Sequence, residues 1–153
     1  MKLLINFEEF IKLGAIVRRT PENSRAMFLY KESERKYKSM NQVLDKVGLN
    51  QLNSHEIIEY CYDIIIYLIR AKLCIDGFNS TGEGAHEAEI SYMRNLNFSE
   101  NEVIFMNQLR YLRNGIKYYG KVLDEDYASK VLVFTKKIYP KLLALIKPKR
   151  DNS

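Results

Sequence analysis

The chain has 153 residues, of which 46% are hydrophobic and 28% are charged. This length suits one domain with a buried core, and the composition excludes an intrinsically disordered chain. Seven glycines and three prolines leave little material for turns, which favours few, long elements. The formal net charge of +5 favours an anionic partner, although the excess is small.

The cysteines and the apolar segments predict a cytoplasmic protein outside the membrane. If Cys61 and Cys74 share one helix, they are roughly 20 Å apart, which is too far for a disulfide. A reducing compartment is therefore expected. The short apolar run at the start is followed by Glu8 and Glu9 and does not form the apolar region of a signal peptide. Charged residues interrupt the most apolar segment, residues 61–75, so no membrane span is expected.

The first part of the chain predicts two helices. Apolar residues are spread through residues 7–17 without a strand-like alternation, which predicts a short helix ending near Arg18. Thr20 followed by Pro21 is typical of a helix start, with a side-chain cap and a proline in the first turn. The second helix is predicted over residues 21–46, with Gly48 just beyond its end.

Residues 54–76 are apolar on nearly every side, which predicts the central helix of the fold. Periodicity alone also allows a buried strand over residues 64–69. A helix is favoured because the flanking residues continue the helical pattern and contain no turn signals. Asn53 and Glu56 have the spacing of a capping box, with Asn in place of Ser or Thr, and Gly77 is expected to end the helix.

A glycine-rich connector, residues 77–84, precedes three further helices. It is not a phosphate loop, because no Lys-Ser or Lys-Thr follows it. A helix is predicted over residues 85–96, and Ser99 with Glu102 forms a capping box for the next helix, residues 100–119. Three acidic residues at 124–126 suit the start of a last helix, in which Pro140 is expected to produce a kink or a new start.

These elements predict an all-α fold, an up-and-down bundle of five or six helices. No linker is long enough to divide the chain into domains. Residues 1–20 are expected to form an N-terminal helix, residues 21–147 the bundle, and residues 148–153 a basic tail. The lysines of the last helix suit its C-terminal dipole and solvation, and they also suit an anionic partner.

Residues 109–120, LRYLRNGIKYYG, carry the most suggestive pattern. On a helix, one face consists of Leu109, Leu112, Ile116 and Tyr119. The other face consists of Arg110, Arg113, Asn114, Lys117 and Tyr118. No acidic residue lies between Met106 and Lys121 to neutralise these cations. Such a face can bind a phosphate and a base, and it is equally typical of an ordinary solvated surface.

The sequence contains no pattern for a metal or another cofactor. His55 and His86 are the two histidines, and neither belongs to an H-E-x-x-H motif, while no cysteine pair has C-x-x-C spacing. Nothing nominates a nucleophile with an adjacent base. His55, at a helix start, is expected to be solvated or to cap. His86 is expected to be structural, packing the connector against a neighbouring helix.

Three stretches, in this order, resemble the HEPN family of small all-α prokaryotic proteins. They are residues 69–77 (IRAKLCIDG), 84–92 (GAHEAEISY) and 109–120, and the resemblance covers about residues 21–146. It implies a helical bundle that forms a homodimer, with Arg and His of a short motif meeting in a cleft at the interface. Active members are metal-independent endoribonucleases, many of them toxins paired with a nucleotidyltransferase antitoxin. Others have lost catalysis and bind RNA or regulate.

The motif is incomplete in this chain. Arg113 matches the Arg of the family motif and Asn114 the polar residue after it, but the positions for His hold Tyr118, Tyr119 and Gly120. Metal-free RNA cleavage needs a base and an acid, and a His can supply both near neutral pH. A tyrosine, with a pKa near 10, is a poor base there. The resemblance therefore implies binding with weak or lost catalysis.

Three functional hypotheses remain open. The leading one is a homodimer that binds RNA or a nucleotide through Arg110, Arg113, Asn114, Lys117, Tyr118 and Tyr119. The second is an endoribonuclease toxin, in which Arg113 and Asn114 act together with Tyr118, or with His86, in place of the missing motif His. The third is a non-catalytic partner of a nucleotidyltransferase, and in such pairs a tyrosine near the motif is the group that the enzyme modifies.

Overall fold

The structure is a computed structural model that describes residues 3–119 and 123–146, without the side chains of residues 116–119. The described residues form six helices and two short strands, and this confirms the predicted all-α bundle. In chain order these are α1 (Phe7–Lys12), β1 (Ile16–Arg18), α2 (Asn23–Lys46), α3 (Ser54–Asp76), β2 (Phe78–Ser80), α4 (Ala85–Asn95), α5 (Glu100–Tyr119) and α6 (Glu125–Ile146).

Helix α3 lies at the centre of the bundle and packs most extensively against α2 and α6. The side chains of Ile57, Ile64 and Ile65 are fully buried, as expected for a helix that is apolar on nearly every side. The buried Ser33 hydroxyl of α2 donates a hydrogen bond of 2.7 Å to the Ile64 carbonyl. The predicted bounds of α3, residues 54–76, are confirmed at both ends.

The N-terminal region differs from the predicted helix over residues 7–17, because α1 ends at Lys12 and the chain then forms β1. Strand β1 pairs antiparallel with β2, with Ile16 opposite Ser80. Ile16 is almost fully buried against the bundle. The prediction is wrong because the partner of β1 is the glycine-rich connector, more than sixty residues away, and local periodicity carries no information on that pairing.

Two of the three predicted N-terminal helix caps are wrong. Helix α2 begins at Asn23 instead of Pro21, and the Glu22 amide donates to the Cys74 carbonyl at 3.1 Å, which makes the segment before α2 a contact with α3. The Asn53 side chain does not cap α3, because its Nδ2 donates to the Gly48 carbonyl at 2.8 Å and its Oδ1 accepts from the Asn50 amide. Asn53 therefore stabilises the α2–α3 turn.

The capping box at the start of α5 is confirmed. The Ser99 amide donates to Glu102 Oε1 at 2.9 Å, and the Glu102 amide donates to the Ser99 hydroxyl at 3.2 Å. These two bonds satisfy amides that the first turn of a helix leaves unpaired. They set the start of the helix on which the candidate residues lie.

Helix α6 continues through Pro140, so of the two predicted alternatives, a kink or a new start, the new start does not occur. Among the described residues, no helix is both long enough and apolar enough to cross a membrane. The predicted basic tail, residues 148–153, lies outside the described residues, as does Gly120.

Candidate functional site

Arg113, on the C-terminal half of α5, is held against α3 by two contacts. Its Nε donates to Glu59 Oε2 at 3.0 Å, and its guanidinium lies 4.8 Å from the centre of the Tyr62 ring. The side chain is only 14% exposed. In the described part of the chain, no hydrogen bond involves the two outer nitrogens of this guanidinium. Arg113 is therefore fixed through Nε, and among the described residues its two outer nitrogens are without a hydrogen bond.

Arg110, one turn earlier, is also held by groups from the protein. Its Nε donates to Asn107 Oδ1 at 3.0 Å, and its Nη1 lies 3.8 Å from Glu87 Oε1 of α4. Acidic groups thus face both arginines, although the sequence of α5 shows none nearby. The expectation of cations without a neutralising acid is wrong for Arg110 and Arg113, because α3 and α4 supply the carboxylates.

The remaining candidates lie on the same end of α5. Asn114 is partly buried beside Arg113, and Leu109 is fully buried, which confirms that Leu109 belongs to the core face. Lys117, Tyr118 and Tyr119 belong to the last turn of the helix, and their side chains lie outside the described part. The structure therefore places Arg110, Arg113 and Asn114 along the same stretch of α5. The roles of Tyr118 and Tyr119 stay predictions.

Tyr62 of α3 packs against Arg113, and its hydroxyl also interacts electrostatically with the charged residues of a second polar cluster. Its hydroxyl is buried and has no hydrogen-bond partner among the described residues. Burial raises the pKa of Tyr62 to about 12, with a further increase from the Glu89 carboxylate and a partial decrease from Arg113 and Arg70. The Tyr62 hydroxyl is therefore neutral at physiological pH.

The second cluster consists of Arg70 on α3 and of His86 and Glu89 on α4. The Glu89 carboxylate is fully buried, accepts a hydrogen bond of 2.5 Å from Arg70 Nε, and lies 3.0 Å from His86 Nδ1. Arg70 Nη2 also lies 3.0 Å from His86 Nδ1. The structure thus places His86 against α3, next to the connector.

This cluster is not among the sites predicted from the sequence. His86 and Glu89 are three residues apart and therefore share a helix face, which is a signal visible in the sequence. Arg70 is sixteen residues before His86, so its part in the cluster depends on how α3 and α4 pack.

A cleft opens in front of this cluster, with a volume of about 270 Å³. Its walls come from α2, α3, β2 and α4. Its polar lining residues are Arg25, Arg70, Asn79, Ser80, Thr81, His86 and Glu89. Arg25 is exposed, and in residues 3–119 and 123–146 it makes no ion pair or hydrogen bond. The cleft therefore combines one unpaired guanidinium, one paired guanidinium and one imidazole.

The other histidine has a structural contact. His55 Nε2 accepts a hydrogen bond of 3.1 Å from the Leu123 amide, just before α6, so it does not cap α3. Within the residues that the structure describes, no group of three His, Cys, Asp or Glu side chains could hold a metal ion.

The chain matches no protein-family model, no curated protein and no solved structure.

Proposed function

We propose that this protein is a HEPN-like homodimer that binds RNA or a nucleotide through the Arg110, Arg113 and Asn114 surface of α5, with ribonuclease activity weak or absent. The observation that carries the proposal is the anchored guanidinium of Arg113. Glu59 fixes its Nε and the Tyr62 ring supports its plane, while the outer nitrogens make no hydrogen bond within the described residues.

An anchored arginine is well suited to a phosphate. The two outer nitrogens form a planar fork that matches two phosphate oxygens, and charge-assisted hydrogen bonds of this kind are stronger than neutral ones. Because Arg113 is already held by Glu59 and Tyr62, binding costs less side-chain entropy than it would at a free surface arginine. Arg110 and Asn114 extend the donor surface along the same helix.

Efficient cleavage of RNA by this protein is not expected, for chemical reasons. Arg113 can stabilise negative charge on a phosphorane, but this is one of several contributions to catalysis. The motif positions for a His hold tyrosines, which are poor bases at neutral pH. Binding without fast cleavage is therefore the expected behaviour.

The first test is RNA binding by Arg113→Ala and by Arg35→Ala, a matched control. Arg35 is an exposed arginine of α2 that pairs with Glu32, so both variants lose one positive charge and one ion pair. We expect Arg113→Ala to weaken binding about tenfold at low salt and Arg35→Ala to weaken it less than twofold. Equal losses in both variants would refute a site on α5.

Glu59→Gln provides a second, opposite test. It removes the acidic partner of Arg113 and keeps the arginine charge, so RNA binding is expected to remain or to become stronger. The salt dependence of binding is expected to be steep in the wild type, since phosphate contacts release counterions. A loss of binding in Glu59→Gln as large as in Arg113→Ala would mean that the ion pair itself, and not the charge on Arg113, matters.

Two further measurements separate this proposal from its alternatives. End-labelled RNA incubated with the protein in EDTA is expected to stay intact. Cleavage that disappears in Arg113→Ala would instead identify an endoribonuclease toxin. Sedimentation equilibrium is expected to give a dimer, and a monomer that binds a nucleotidyltransferase but not RNA would favour the interaction-partner hypothesis.

A further inference from the structure

We propose that the cleft between α2, α3, β2 and α4 is a binding site for a phosphoryl group, recognised by Arg25, Arg70, His86 and the outer edge of β2. This site is separate from the proposed RNA-binding surface on α5 and does not depend on it.

The one carboxylate in the cleft is already used by the protein. Glu89 is fully buried and accepts a hydrogen bond from Arg70 Nε, so its charge is opposed by that of Arg70. The charge of Arg25, from α2, remains without a partner in the described residues. The cleft thus has an excess of one positive charge before His86 is counted, which favours an anion.

His86 presents a donor to the cleft in two protonation states. A hydrogen bond from Arg70 Nη2 to Nδ1 requires Nδ1 without a proton, and the proton of the neutral ring is then on Nε2. A hydrogen bond from Nδ1 to Glu89 in the charged ring also leaves a proton on Nε2. The His86 side chain is 52% exposed, so Nε2 can donate to an anion in both of these states, whereas a neutral ring that donates from Nδ1 to Glu89 would present Nε2 as an acceptor.

Strand β2 adds a donor of a different kind. The Arg19 amide donates to the Gly77 carbonyl and the Thr81 amide donates to the Ala15 carbonyl, so the residues at 77, 79 and 81 are the ones that bond to β1. Because the pattern alternates along an antiparallel pair, the backbone amide of Ser80 lies on the opposite edge of β2. Ser80 also lines the cleft, and we infer that its amide and hydroxyl can donate to a ligand there.

These donors match a phosphoryl group better than a carboxylate. They come from α2, α3, α4 and β2, and therefore approach the cleft from several directions. A terminal phosphate has three oxygens that accept hydrogen bonds in different directions, while a carboxylate has two in one plane. The phosphoryl group can belong to a small molecule or to the 5′ end of an RNA, and the experiment distinguishes the two.

The test is a titration of the full chain with inorganic phosphate, followed by the backbone amide NMR signals of residues 79–82 and the imidazole signals of His86. Arg25→Ala is the informative variant, because this exposed side chain makes no ion pair or hydrogen bond in the described residues and its removal does not disturb the core. Lys38→Ala is the control, since Lys38 is also an exposed cation of α2 but does not line the cleft.

We expect saturable shifts in the wild type and in Lys38→Ala, and about tenfold weaker binding in Arg25→Ala at an unchanged melting temperature. Arg113→Ala is expected to bind phosphate as the wild type does, even if it loses RNA. Absence of saturable shifts in the wild type, or equal affinity in Arg25→Ala, would overturn the proposal. A 5′-phosphorylated hexanucleotide that binds no better than phosphate would assign the site to small molecules, and tighter binding than its 5′-hydroxyl form would assign it to RNA ends.

The variant His86→Asn tests the part played by the imidazole, which lines the cleft together with Arg25 and Arg70. Asparagine keeps a polar side chain but removes the Nε2 donor, so phosphate affinity is expected to fall several-fold at an unchanged melting temperature. Phosphate affinity in His86→Asn equal to that of the wild type would remove His86 from the proposed site.

Discussion

The pair of Arg70 and Glu89 allows a quantitative prediction, because its two members differ in exposure. The Glu89 side chain is 1% exposed and the Arg70 side chain is 27% exposed. Removing one partner of a buried ion pair is costly mainly because the other charge is left without compensation. The cost therefore depends on which charge remains, and the fully buried carboxylate is the more expensive one to leave.

We expect Glu89→Gln to lower the free energy of unfolding by about 2 kcal/mol, below the usual range for a buried pair, because water can solvate the exposed part of Arg70. Arg70→Met keeps most of the side-chain volume but leaves the buried Glu89 with His86 as its one donor in the cluster. It is expected to cost about 3 to 5 kcal/mol. The double variant is expected to cost less than the sum, with a coupling energy of about 2 kcal/mol.

Urea denaturation at pH 7, followed by circular dichroism, measures all four proteins of this cycle. Arg35→Ala, which breaks an exposed pair on α2, is the control and is expected to change stability by less than about 0.5 kcal/mol. A larger loss in Glu89→Gln than in Arg70→Met would refute the argument from exposure. Additive losses would show that the two side chains do not stabilise the fold as a pair.

Three other predictions concern single features of the fold. Gly77→Ala is expected to lower the free energy of unfolding by about 2 kcal/mol or more, because Gly77 has φ of 82° and an added Cβ would lie 2.8 Å from a backbone oxygen. Gly48 has φ of 76° and no atom within 4 Å of an added Cβ, so Gly48→Ala is expected to lower it by about 1 kcal/mol. Equal losses in thermal denaturation would contradict the close approach at Gly77. Burial raises the pKa of the Cys61 thiol to about 12, so iodoacetamide at pH 8 is expected to alkylate this thiol far more slowly in the native protein than in urea. Equal alkylation rates, measured by mass spectrometry, would contradict the burial of Cys61. The hydrogen bond from Arg94 lowers the pKa of Glu100 below 4.5, so this carboxylate stabilises the fold above that pH and the effect is lost as the pH falls through the lowered pKa. Because Glu100 is about half exposed, Glu100→Gln is expected to cost at most about 0.5 kcal/mol at pH 7 and nothing near pH 2. A difference in the free energy of unfolding by urea that is the same at both pH values would be inconsistent with this.

The helices that were predicted well are those whose signals are local. Helix α3 is specified by a continuous apolar sequence and by Gly77, and the start of α5 by the reciprocal bonds of Ser99 and Glu102. Strand β1 was missed, because its stability comes from pairing with β2 and from the burial of Ile16 against the bundle.

The candidate sites likewise have some features that follow from local sequence and others that depend on how the helices pack. The position of Arg113 on a polar face of α5 follows from helical periodicity. Its neutralisation by Glu59 does not, since the two residues are 54 positions apart and meet only through helix packing. The cleft has contributions from four elements, so no single stretch of sequence shows it.

The ribbon formed by β1 and β2 has a consequence for the order of folding. Its pairing joins residues that enclose both α2 and α3, so it closes a long loop, whereas α2 and α3 are neighbours in the chain. We expect the α2–α3 hairpin to form first and the ribbon to dock late, once α3 has ended at Gly77. One wall of the cleft is β2 itself, so we expect the cleft to be complete only after the ribbon has docked. The backbone amides of β2 are then expected to exchange with solvent faster than those of α3. A ligand that binds in the cleft would slow this exchange.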